Sequence, residues 1–108
     1  MPAGAREAFR QHAAAFAPIF LDHGATRVVE CWGDDVPDGT VTDFKGAVKA
    51  QDGEAVVFSW IEWPSKEVRM AGMKAVMEDP RSGTAGAMPF DGKRMIFGGF
   101  QPIVDTAE

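Results

Sequence analysis

Residues 55–63 read AVVFSWIEW, a run of β-branched and aromatic side chains with the composition of a strand. The two-residue period of a strand sends Val56, Phe58 and Trp60 to one side and Val57, Ile61 and Trp63 to the other, so neither side is plainly wet. A second run, TRVVECWG at 26–33, has the same character. A sheet that is apolar on both sides needs two covers. Helices supply one of them. In residues 5–23, AREAFRQHAAAFAPIFLDH, the side chains of Phe9, Ala13, Phe16 and Phe20 fall on one stripe of a helix. Gly24 is its stop, and His23 stands where a helix C-terminus favours positive charge. Pro18 inside the pattern predicts a kink or a fresh turn. Residues 65–78, SKEVRMAGMKAVME, predict a second helix, capped by Ser65 and ended by Asp79 and Pro80. The economical second cover is another copy of the chain, laid sheet against sheet in a two-fold homodimer.

Between the strands, DDVPDGTVTDFKGAVKAQDG at 34–53 reads as a loop insertion with a turn at Pro37, Asp38 and Gly39. Thr42 or Asp43 would cap a brief helix through Val48. After the second helix, RSGTAGAMPFDG at 81–92 reads as a loop, and Asp91 and Gly92 turn the chain into a final strand, KRMIFGGFQPIV, at 93–104. Gly98 and Gly99 in that strand signal a bulge or a close backbone approach. The order helix, strand, strand, helix, strand is that of an α+β fold, one domain over residues 1–108.

Composition narrows the function. A length of 108 residues with 45% hydrophobic and 25% charged side chains fits one globular core. Eleven Lys and Arg against sixteen Asp and Glu give a net charge of −5, which argues against a nucleic-acid partner. The single cysteine, Cys31, closes no intramolecular disulfide, and no leader pattern opens the chain, so a reduced, cytoplasmic setting is expected. No apolar run approaches the roughly 18 residues of a membrane span, so no membrane association is expected.

The segments ECWGDDVPDGTVTDF (30–44), VVFSWIEWPS (56–65) and MPFDGKRMIFGGFQPIVD (88–105) resemble the YbaA-like bacterial family, number 1428 among the domains of unknown function. The resemblance spans nearly the whole chain. It implies a ferredoxin-like β-α-β-β-α-β unit with an antiparallel sheet, dimerising into an α/β barrel, and no established activity. A role with RNA, which some family members are labelled with, gains no support from the acidic balance. The family's pattern opens with a strand before the first helix. Here Met1 and Pro2 stand where that strand would end, so the expectation is a reading frame that starts upstream, or a truncated first strand. Without that strand, the third and fourth strands must pair directly or borrow one from a partner.

Few residues carry chemistry by type. His12 shares a helix arc with Phe9, Phe16 and Ile19, which would turn it toward the sheet as a proton carrier tuned by burial, or as a hydrogen-bonded histidine at the core edge. Glu30 alternates with Val28 and Trp32, a carboxylate on an apolar side, and is either a general base or one half of a salt bridge. His12 and Glu30 are the candidate catalytic pair, of the kind a cofactor-free monooxygenase or isomerase on this fold would use. Phe16, Trp60, Arg94 and Phe100 are the candidate ligand-binding residues, for a small, mainly apolar ligand. Lys93 and Arg94, joined by Arg6 and Arg10, could hold an anion, or are surface charges. Seven acids lie in residues 30–54, but their spacing fits no EF-hand, and no His and Cys spacing suggests zinc. GTAG at 83–86 lacks the Lys of a phosphate loop, and Cys31 and Ser59 lie in strands without a nucleophile signature. Neither metal nor cofactor is expected.

Overall fold

The structure is a computed structural model that describes residues 2–84 and 92–107. It is an α+β fold. Helix α1 (Arg6–Asp22) is followed by strand β1 (Arg27–Trp32), a short helix α2 (Phe44–Ala47), strand β2 (Val57–Glu62), helix α3 (Lys66–Glu78) and a short helix α4 (Pro80–Thr84).

The caps are those the sequence offers. Asp43 accepts from the Gly46 backbone N–H and fixes the start of α2; Ser65 accepts from Val68 N–H at 3.1 Å and starts α3. Asp79 ends α3, yet Pro80 opens α4 rather than a loop, so residues 81–84 are helical where a loop was expected. Proline suits a first helical turn because its missing N–H has no partner there in any case. Helix α1 runs through Pro18 without a fresh start and stops at Gly24, whose φ of 109° is open to glycine at little strain. The expected glycine-rich loop from residue 85 and the turn at Asp91 lie outside the described residues.

Strands β1 and β2 are antiparallel, with Val28 opposite Ile61, Glu30 opposite Ser59 and Cys31 opposite Phe58. Opposed residues share a side. One side therefore carries Val28, Glu30, Trp32, Val57, Ser59 and Ile61, and the other carries Arg27, Val29, Cys31, Phe58, Trp60 and Glu62. Helix α1 packs against the first at its Trp32 end, where Phe9 meets Trp32 at a ring separation of 6.0 Å, while Glu30 and Ser59 remain exposed. The core is formed by Phe9, Ala13, Ile19, Ala25 and Val76, with Ile19 the most enclosed at 2% exposure. Phe16 and Phe20, expected on the same buried stripe, are only half-buried. On the second side only the short helix α2 makes contact, through Phe44 against Phe58.

The expected final strand is not formed. Gly92–Arg94 make a turn of 3-10 helix, and residues 95–107 are without strand. A strand exists through its ladder, and among the described residues this segment has no ladder partner. Its apolar side chains stand in solvent, Phe97 at 90% exposure. Among the described residues the sheet therefore has two strands, β1 and β2. No helix there is long and apolar enough to cross a membrane.

Candidate functional site

The uncovered side of the sheet ends in a recess. β1 brings Cys31 and Trp32, β2 brings Phe58 with Val56 just before it, and the intervening loop folds back to add Val36 and Phe44. Its volume is about 190 Å³, its walls are apolar, and none of the side chains lining it is charged. The start of α2 is fixed where the loop folds back to the strands. Asp43 accepts from Gly39 and Gly46 N–H, which holds its carboxyl below the usual range, and the ring of Phe44 then meets Phe58 edge-on at 6.5 Å and 78°. Phe58 continues to Trp60 at 5.9 Å. The Trp60 indole N–H donates to Glu62 at 2.8 Å, so the aromatic row ends in a satisfied polar group.

A second recess, about 250 Å³, shares Gly33, Val36 and Val56 with the first and is rimmed by Asp34, Lys45 and Glu54. Its Glu54 is already engaged: Arg94 donates to both carboxylate oxygens at 2.7 and 2.8 Å, and Gln51 N–H donates at 2.7 Å. These bonds hold the Glu54 carboxyl well below the usual carboxylate range. Arg94 also donates to the carbonyl of Lys49, a residue in left-handed backbone with φ of 52°.

The residues singled out in the sequence do not converge. His12 is half-buried on α1, its ring 5.0 Å from Phe16. Glu30 is exposed on β1, on the same side of the sheet as Trp32; partial desolvation pushes its carboxyl up, and the Ser59 hydroxyl, donating to it, pulls it partly back. Neither lines the two recesses. Phe16 lies with the helices, Trp60 on the opposite side of the sheet, Arg94 on Glu54, and Phe100 in solvent. Arg10 is bound to Glu7 within its own helix. Of the four candidate ligand residues, Trp60 alone adjoins the apolar recess, through Phe58. Phe44 and Val36 escaped the sequence reading; the signal that could have found Phe44 was the Asp43 cap, which orients the helix carrying it.

A separate polar cluster joins the ends of the helices. His23 Nε2 lies 2.8 Å from Asp79, and Arg81 bridges Asp79 and Asp22, each at 2.8 Å. Arg81 and His23 together hold the Asp79 carboxyl well below its ordinary range. It ties α1 to α3 and opens into neither recess. Among the described residues no group of three or more His, Cys, Asp or Glu is placed to hold a metal ion.

A family model described as "Protein of unknown function (DUF1428)" matches residues 1–92. The chain is 59% identical over 106 residues to a protein of Escherichia coli strain K12 named "Uncharacterized protein YbaA", covering 97% of this chain and 91% of that one. Proteins of the same name from Escherichia coli O157:H7 and Shigella flexneri match to the same extent.

Proposed function

The chain belongs to the DUF1428 family of proteins of unknown function, and on that premise we propose that it works as a homodimeric, ferredoxin-like α/β-barrel domain that holds a small, mainly apolar molecule. The observation that carries this reading is the apolar recess at the end of an uncovered, aromatic sheet side. The stretch of that side carrying Val29, Cys31, Phe58 and Trp60, bounded at one end by the Arg27–Glu62 pair, is too apolar to be left to water, and sheet against sheet is its simplest cover. The antiparallel pair, with α1 packed on β1 and α3 packed on α1, supports a ferredoxin-like plan. A lone half-buried cysteine suits a reduced, cytoplasmic setting.

The recess is large enough for one ring-sized molecule, since a dry apolar cavity of roughly 150 Å³ is known to take benzene. Native mass spectrometry of protein from its own host, in gentle conditions, is the test. A dimer with a reproducible small adduct is expected, and Val36→Trp, which fills the recess, should lose the adduct while keeping the dimer. A bare monomer would overturn the reading.

A further inference from the structure

We infer that the recess between Phe44 and Phe58 is one half of a site for a small, uncharged aromatic molecule, and that a second copy of the chain completes it, so that binding and association are coupled. The inference rests on the reading above and goes further in naming the ligand class and the missing wall.

The chemistry of the walls selects the ligand. With no charged group on them, a carboxylate or ammonium entering the recess would lose its hydration without a countercharge. The Cys31 thiol is a weak donor and a weak acceptor, too poor a partner for an amide or a sugar hydroxyl. What the walls do offer is ring edges and faces. Phe44 and Phe58 meet at 78°, and Phe58 leans on Trp60 at 52°, so an inserted ring would find an edge on one side and a face on another.

One protomer cannot finish the job. Phe44 is 58% exposed and Phe58 55%, so a ring resting on them would stay wet on its outer side. Specific small-molecule sites bury about 70–90% of their ligand. Helix α2 already supplies Phe44 to one wall, and α1 packs against β1 from the side of Trp32, so neither supplies the lid. A second copy can, because the recess is continuous with the apolar side that the dimer would cover. The surface area fits: the chain exposes 8277 Å², whereas a compact monomer of this mass exposes about 5,800 Å². Part of that surplus lies on the exposed segment from Met95 to Val104 and part on this side of the sheet; together they are of the size that one partner buries in an obligate dimer, on the order of 1,000–2,500 Å².

Coupling is then reciprocal: a molecule that fills the shared site must tighten the dimer by the factor by which the dimer tightens its binding. Sedimentation equilibrium of the full chain, with toluene, benzoate or hexanol as probe, reads this directly, while side-chain NMR of Cys31, Phe44 and Phe58 reports binding. Toluene is expected to shift those signals and to lower the dimer dissociation constant about tenfold, with benzoate doing neither. Val36→Trp should dimerise yet show no toluene response. Toluene binding with unchanged association would overturn the shared wall. Binding of hexanol but not toluene would overturn the aromatic class, and binding of benzoate but not toluene would overturn the uncharged one. No binding by any probe would overturn the inference together with the ligand reading beneath it.

Discussion

Gly72 stands in the middle of α3, where alanine would be the better helix former by about 1 kcal/mol, and it is buried. A Cβ there would run into the Trp63 ring and come within 2.6 Å of the His23 carbonyl oxygen. The ring can turn, but the carbonyl belongs to the end of α1 and moves only with the helix. Steric conflict therefore outweighs propensity, and Gly72→Ala is expected to lose about 1–3 kcal/mol, the usual penalty of overpacking. Thermal denaturation followed by circular dichroism checks this: for a domain of this size each kcal/mol lowers Tm by about 4–8 °C, and a rise in Tm would mean that α1 and α3 do not press together at Gly72. The sequence shows a glycine in a helical run, but not its reason, because Trp63 and His23 reach it from other elements. The same applies to His12 and Glu30. Their helix and strand sides were legible from periodicity, whereas their failure to line either recess depends on loop 34–53, whose path no periodicity encodes.

At the scale of elements, α1, β1, β2 and α3 were legible because each carries its own cap or alternation, and the last strand was misread because a strand also needs a neighbour. In place of a ladder, the segment from Arg94 onward is attached at its start by the fork of Arg94 on Glu54, with Glu54 in turn bridged to Pro2. That attachment is acid-sensitive, and the sign follows from its partners. Arg94 and the Gln51 N–H lower the Glu54 carboxyl below its ordinary 4.5 in the fold, so the folded chain binds this proton less readily than the unfolded one. The contribution is complete above the unfolded value and disappears as pH falls below it. Asp79, lowered by Arg81 and His23, adds to the same acid limb. Glu54→Gln should therefore be less stable than the parent at about pH 7, and the gap should narrow toward about pH 3, where the unfolded chain's carboxyl takes up its proton while the folded one, held by Arg94, still resists it. Urea midpoints at the two pH values measure it; an equal gap at both would show that the ion pair contributes nothing and that the fork is held by shape alone.

For the molecule as a whole, the surplus surface and the radius of gyration say the same thing. The Cα radius is 15.1 Å, against about 13 Å for a compact chain of this length. Much of the difference is apolar and concentrated in two places, the Phe44, Phe58 and Trp60 side of the sheet and the segment from Met95 to Val104. Leaving both in water forgoes burial worth about 25 cal/mol for each Å², which is why a second copy is the expected cover. Sedimentation velocity should give a species of twice 11.6 kDa. Phe58→Asp separates the two patches as the source of that association. Phe58 contributes little to the protomer's own core, so the variant should keep its helical signal and lose little Tm as a monomer. Placed against a partner's apolar sheet, however, the new carboxylate would have to lose its hydration without a countercharge, which is heavily unfavourable. The dimer should then weaken by at least about a hundredfold, since 2.7 kcal/mol already gives that factor. If Phe58→Asp still sediments as a dimer while removal of residues 95–108 gives a monomer, the C-terminal segment makes the interface and the recess faces water. If both variants remain dimeric, the association uses neither patch, and the surplus surface belongs to an open protomer.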